Sequence, residues 1–226
     1  MKKIGMVVAV EIEAVLQRYG EALREEKFGT FVLRVYRNGE NELYIMHSGV
    51  GEIAASAAAQ LLITVCGVDL LVNFGVVGGL TEEMAQSRSC IVEKVVHTDY
   101  DAEAIDGTKR GRYLELPDEY IPTDAGLFQA ALRIAPDLKP VICASADKFI
   151  AGAEKKSELH RLFDADICDM ESAGIALTCH RNSVPCLMIK TVSDGITGGA
   201  EEYYAAVSET SALCLEIAQK IIGEAL

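Results

Sequence analysis

The stretch IGMVVAVEIEAVLQRY, residues 4–19, indicates how this chain folds. Its first part, residues 4–10, is uniformly apolar, which is typical of a strand covered on both faces in an α/β sheet. The apolar residues that follow are spaced by three and four positions, as on one face of a helix; they are Ile12, Val15, Leu16 and Tyr19. A buried strand that leads directly into an amphipathic helix predicts the α/β class.

The same alternation of apolar strands and helices continues along the chain. Further strands are predicted over residues 42–48, 68–74, 90–97, 141–146, 167–170 and 187–192. Helical patterns cover residues 52–66, 123–135, 154–163, 172–180 and 201–222. We therefore predict a three-layer α/β/α sandwich with a central mixed, mostly parallel sheet. The length of 226 residues and the lack of a linker-like segment predict one domain over residues 1–226.

The acidic charge balance limits the partners of this protein. The chain has 21 Lys and Arg against 34 Asp and Glu, a formal net charge of -13. Such a surface repels phosphate backbones and anionic lipids, so we predict no nucleic acid and no membrane as partner. The seven cysteines form no CxxC pair, which favours reduced, buried thiols in a cytoplasmic protein.

Candidate functional residues follow the predicted strands, where ligands collect in open α/β sheets. Glu13 follows the first strand, Glu171 follows the strand at 167–170, and Asp194 follows the strand at 187–192. Taken singly, each acid is also explained as a helix-start or turn residue. The glycine-rich residues 75–79 match neither a GxGxxG motif nor a P-loop, and the histidines lack zinc-ligand spacing. No cofactor and no metal are predicted.

The order of these signals resembles the nucleoside phosphorylase and nucleosidase superfamily, in particular the 5'-methylthioadenosine/S-adenosylhomocysteine nucleosidase family. After a Glu early in the first helix come SGVG at 48–51, GVVGG at 75–79, DKFI at 147–150, ME at 170–171 and SD at 193–194. The similarity covers nearly the whole chain. It includes a long final helix with an aromatic residue, Tyr203, near its start.

The resemblance implies an enzyme that hydrolyses the N-glycosidic bond of adenine thioribonucleosides and releases adenine and the thioribose. Asp194 would protonate N7 of the leaving purine, and Glu13 would orient a water molecule on the opposite face of the sugar. Glu171 would accept hydrogen bonds from the 2' and 3' hydroxyls, and Ser193 would orient Asp194. The resemblance thus implies a general acid, Asp194, a general base, Glu13, and a residue that binds the ribose hydroxyls, Glu171.

Contacts with the substrate and with a second subunit are implied as well. Phe149 would stack on the purine, while the backbone of Ile150 would pair with the adenine edge. Met170 would pack against the sugar, and Val50 would line the sugar and alkylthio region. The family is expected to form a homodimer in which a neighbouring subunit closes this pocket.

Three alternative functions remain open at this point. Arg88 favours a phosphate-dependent purine nucleoside phosphorylase. A futalosine-type nucleoside hydrolase would share the same residues. Val76 stands where the family usually has a Ser that supports the catalytic acid, which favours a non-catalytic nucleoside-binding protein. The three acids retained together favour the hydrolase, because binding alone needs no acid and base pair.

Overall fold

The computed structural model describes residues 1–225. Its strands are β1 Lys3–Val8, β2 Arg24–Phe28, β3 Phe31–Asn38, β4 Asn41–His47, β5 Leu70–Gly79, β6 Ser89–His97, β7 Ile121–Pro122, β8 Lys139–Ser145, β9 Ile167–Asp169 and β10 Cys186–Asp194. Its helices are α1 Ile12–Tyr19, α2 Glu52–Leu61, α3 Glu103–Asp106, α4 Ala125–Ile134, α5 Ala153–Phe163, α6 Ser172–Asn182 and α7 Ala200–Ala225. A π-helical turn, Leu62–Cys66, continues α2.

The strands of these residues form one mixed sheet around β5. This strand pairs in parallel with β1 on one side and β10 on the other, and its end pairs antiparallel with β9. Because β10 also pairs with β6, and β6 continues through β8 to β9, part of the sheet closes into a ring. Beyond β1, the sheet extends through β4, β3 and β2. The prediction of an α/β fold with a mixed sheet is confirmed.

Helices cover both faces of this sheet. Alternate residues of a strand point to opposite faces; accordingly Val7 joins the apolar core under α2 and α6, whereas Met6 joins the core under α1, α4 and α7. Small alanines of α2, such as Ala55 and Ala58, are fully buried and allow close packing against the sheet. Two cores separated by a sheet are the predicted three-layer arrangement.

Helix α4 begins as its sequence predicts. The Asp124 side chain caps it by accepting a hydrogen bond from the Leu127 N–H at 2.8 Å, and α4 ends before Pro136. In the part of the chain that the structure describes, no helix is long and apolar enough to cross a membrane. One sheet runs through the described residues, which agrees with a single domain. The extent of that domain, residues 1–226, stays a prediction.

Candidate active site

A cleft opens where the carboxyl ends of β1, β4, β5 and β10 meet the residues that follow β8 and β9. Its volume is about 170 Å³. It is lined by Ala9, Val10, Glu11, Val50, Val76, Val77, Gly78, Phe149, Cys168, Asp169, Met170, Glu171, Ser193, Asp194 and Tyr203. The structure thereby brings together Asp194, Glu171 and most of the substrate-binding residues expected from the sequence.

Glu11 supplies a carboxylate to the wall of this cleft. It stands between β1 and α1, is 5% exposed, and accepts a hydrogen bond from the Val76 N–H at 2.9 Å. A Cβ atom at position 75 would lie 2.7 Å from Glu11 Oε1, so Gly75 is what allows this close approach. Burial raises the pKa of Glu11, which makes its carboxylate a stronger base.

The structure corrects the expectation for Glu13. This residue lies in the first turn of α1 with its side chain exposed, and it does not line the cleft. The buried face of α1 carries Val15, and a helix turns about 100° per residue. Glu13 is therefore directed away from the sheet, whereas Glu11, at the junction itself, points into the cleft. Glu11, and not Glu13, therefore lines the cleft in this structure, and the catalytic role of either acid stays a prediction.

Asp194 is buried at the inner end of the cleft. It is 2% exposed and accepts a hydrogen bond from the Ser193 hydroxyl at 2.8 Å, as the expected orienting role of Ser193 requires. On its other oxygen, Oδ2, it forms an ion pair of 2.6 Å with the fully buried Lys156. A Cβ atom at Gly78 would lie at ordinary contact distances from this oxygen and the Lys156 Nζ, 3.4 Å and 3.5 Å, but only 3.0 Å from the Cys168 Sγ, which would have to shift.

Glu171 lies beside the cleft with backbone donors directed at it. The Gly51 N–H donates to Oε1 at 3.0 Å, and the Met170 N–H donates to Oε2 at 3.3 Å. Burial, followed by the nearby Asp169 carboxylate, raises the pKa of Glu171 to about 8. Two ribose hydroxyls donating to this group would favour its ionised form, so that binding would release a proton near neutral pH.

A buried polar network supports the floor of the cleft. Asp169 pairs with Lys190 at 2.8 Å, and both side chains are 2% exposed. Burial alone would raise the pKa of Asp169, but the charge of Lys190 and the hydrogen bonds from Lys190, Ser145 and Ser172 together outweigh it and hold that pKa below its ordinary value. The Ser145 hydroxyl lies 2.6 Å from Asp169 and 2.5 Å from Glu52. A hydroxyl has one hydrogen to share between the two carboxyl groups, and burial, followed by the Asp169 carboxylate, raises the pKa of Glu52 to about 7, which favours an additional proton on Glu52.

Aromatic rings form the outer wall of the cleft. Phe149 is 47% exposed and packs edge-on against Tyr203, with 5.7 Å between the ring centroids. Val50, which is 52% exposed, lies at the same cleft. The Ile150 side chain does not line it and instead packs with the apolar cluster that contains Phe163; its expected backbone contact with adenine stays a prediction.

Arg88, possible metal ligands and the cysteines also bear on the sequence-based expectations, and the structure places them as follows. Arg88 is exposed and is not among the residues that line the cleft. Within residues 1–225, no group of three or more His, Cys, Asp or Glu is arranged to hold a metal ion. The seven cysteines are free thiols.

Lys156 is the site residue that sequence reasoning missed. Its signal was present, because Lys156 shares one helical face with Leu159 and Phe163, at spacings of three and seven, in a pattern that otherwise faces the core. A lysine on an apolar helix face is rarely buried without a partner. That partner, Asp194, is 38 positions away in the sequence.

Comparison with known proteins identifies the family. A sequence model of the Phosphorylase superfamily matches residues 3–226. An aminodeoxyfutalosine nucleosidase of Campylobacter jejuni is 29% identical, with 86% of each chain covered. A 5'-methylthioadenosine/S-adenosylhomocysteine nucleosidase of Shewanella halifaxensis is 30% identical, with 93% of this chain and 96% of its own covered. The solved futalosine hydrolase of Helicobacter pylori shares the fold, with a TM-score of 0.92 at 24% identity over 99% of this chain and 98% of its own.

The fold and the cleft define a protein of the nucleoside phosphorylase-like α/β class. The chain belongs to the Phosphorylase superfamily. Its named relatives are nucleosidases, which are hydrolases of N-glycosidic bonds. The family and the enzyme class expected from the sequence are confirmed.

Proposed function

We propose that this protein hydrolyses the N-glycosidic bond of 5'-methylthioadenosine and S-adenosylhomocysteine-type adenine nucleosides, releasing adenine and the thioribose. One observation carries the proposal: Glu11, Glu171 and Asp194 meet in a single cleft beside the aromatic ring of Phe149. Two carboxyl groups used as acid and base are the arrangement that inverting glycoside hydrolysis requires. The named nucleosidase relatives support the same reaction.

The roles of these residues follow from the bonds that change. The C1'–N9 bond breaks and its electron pair goes to the purine, while the Asp194 carboxyl group gives its proton to N7, so adenine leaves as a neutral base. A water oxygen bonds to C1', and its proton passes to the Glu11 carboxylate. Each positioned proton transfer contributes about 10²–10⁴ in rate. Glu171 holds the ribose hydroxyls.

Hydrolysis is supported over phosphorolysis by the charges of the cleft. In the described chain, neither Arg nor Lys is among the residues that line it, whereas Glu11, Asp169, Glu171 and Asp194 are. A carboxylate in the cleft with no Arg or Lys beside it in the lining disfavours a phosphate dianion, and the exposed Arg88 lies outside the cleft. The futalosine-type reaction stays the second candidate, because a relative of similar identity is an aminodeoxyfutalosine nucleosidase.

The decisive experiment measures free-base release from methylthioadenosine, S-adenosylhomocysteine, aminodeoxyfutalosine and inosine, with and without phosphate. We expect adenine from the first two without phosphate. A strict phosphate requirement would overturn the hydrolytic proposal in favour of phosphorolysis, and preference for aminodeoxyfutalosine would favour the second candidate. Asp194→Asn should lose turnover and keep affinity; a receptor would show no turnover in either protein.

We also propose a homodimer in the cytoplasm. A groove of about 490 Å³ between α2 and α6 carries Ile53, which is 82% exposed, close to the exposed Val50 of the cleft. A second copy packed here would cover both apolar side chains and close the cleft. Light scattering should give twice the chain mass, and Ile53→Asp should lower it to the mass of one chain.

The proposed products indicate a metabolic role. Adenine and methylthioribose are compounds that purine salvage and methionine salvage consume.

A further inference from the structure

A lysine ammonium is fully buried behind the cleft. The Lys156 side chain is 0% exposed, and the desolvation of an ammonium is costly unless it is paired. Its Nζ donates to Asp194 Oδ2 at 2.6 Å, to the Gly195 carbonyl at 2.6 Å and to the Asp194 carbonyl at 3.4 Å. All three contacts are therefore directed at residues 194–195, the segment that carries the proposed acid.

The other groups around Asp194 stabilise a negative charge on its carboxyl group less than Lys156 does. Ser193 donates one hydrogen bond, and the neighbouring Val76 has an apolar side chain. The titratable groups that face Asp194 or its backbone come from β9, α5, α7 and the cleft; they are Cys168, Lys156, Glu202, Tyr203, Glu11 and Glu171. Of these groups, Lys156 is the cation.

Resting on the hydrolytic function above, we propose that Lys156 is a positioning residue: its ammonium holds the Asp194 carboxyl group and stabilises the charge that this group gains on protonating the purine. The proton that reaches N7 comes from Asp194, and Lys156 keeps its own protons throughout. As Asp194 gives up its proton, its contact with the Lys156 ammonium changes from a hydrogen bond to a neutral acid into an ion pair, and so becomes stronger. An interaction that is stronger in the transition state than in the ground state accelerates the reaction.

Lys156→Gln tests this role because it replaces the ammonium, the charged donor to Asp194, with a shorter neutral amide. We expect kcat to fall about 10²–10³-fold, the loss found when one donor to a developing negative charge is removed. KM should change by less than about threefold, because the interaction acts mainly in the transition state. A lysine with a merely structural role would not separate kcat from KM in this way.

The matched control is Lys155→Gln, since Lys155 is the adjacent, exposed lysine of α5. It should keep the wild-type kcat and KM. If Lys156→Gln also keeps both, the role of Lys156 is overturned while the hydrolytic function stands. If the wild-type protein releases no free base, the hydrolytic function itself fails.

If Lys156→Gln does not fold, as judged by loss of cooperative melting, a second variant provides the test. Lys156→Arg keeps the positive charge beside Asp194, although its larger head lowers kcat by misplacing the carboxyl group. Its kcat should remain within about tenfold of the wild type and its KM within about threefold, since the positive charge is kept. A loss of about 10²-fold or more in the kcat of folded Lys156→Arg would show that a positive charge at this position does not support Asp194, and would overturn the proposal.

Discussion

The assignment of the base to Glu11 rather than Glu13 can be tested with a matched pair of substitutions. In Glu11→Gln the side chain keeps its length, and the amide oxygen can still accept the Val76 N–H that now lies 2.9 Å away. The substitution removes the base alone, whose proton transfer contributes about 10²–10⁴ in rate. At about 1.4 kcal/mol for each factor of ten, this loss is about 3–5 kcal/mol of the barrier.

The assay is adenine release from methylthioadenosine by the wild type and both variants. Glu13→Gln should leave kcat and KM within about twofold, because exposed side chains away from a site contribute little. Glu11→Gln should melt no lower than the wild type, since it removes a carboxyl group whose charge is costly to bury. Full activity of Glu11→Gln together with loss of activity in Glu13→Gln would refute the reasoning.

Two further predictions concern the outer wall and the buried network. Phe149→Ala should raise KM about tenfold with little change in kcat, because one aromatic–base stack contributes about 1–3 kcal/mol; an unchanged KM in steady-state kinetics would mean that the purine binds elsewhere. Glu52 has a pKa of about 7, against 4.5 when exposed, because burial and the Asp169 carboxylate disfavour its charge. The folded protein therefore keeps a proton that the unfolded chain loses above its lower pKa, so stability falls as pH rises from about 5 to 8, by up to about 3 kcal/mol. Urea unfolding should show a smaller fall in Glu52→Gln, and an equal fall would contradict this origin.

Strands buried on both faces were predictable from the sequence, whereas the edge of the sheet was not. Strand β1 is apolar from Ile4 to Val8 and β10 from Cys186 to Ile189, because neither face of these segments meets water. Strand β2 reads REEKF and pairs only with β3 at the edge. Charged residues are usual on an edge strand, since they discourage pairing with other chains. The same charges hide such a strand from a search for apolar runs.

The site residues at the ends of strands were predictable, because the position of a residue along a strand sets the direction of its side chain. Asp194 and Ser193 end β10 and Glu171 follows β9, so all three reach the cleft as expected. The acid that lines the cleft near α1 is Glu11, two positions before the expected Glu13, because Glu11 and Glu13 flank the first residue of α1. The sequence shows two acids there, and only the direction of each side chain in the structure shows which of them enters the cleft.

The sequence by itself determined the α/β class from its local apolar patterns, and Glu171 and Asp194 as cleft acids from their positions at strand ends. The superfamily followed from the resemblance of its ordered motifs to a known family. Only the tertiary structure decided that Glu11 occupies the cleft and that Lys156 is the partner of Asp194. The physical reason is that burial and pairing of charges depend on contacts between distant segments, here 38 positions apart for Lys156 and Asp194. No local pattern encodes such a contact.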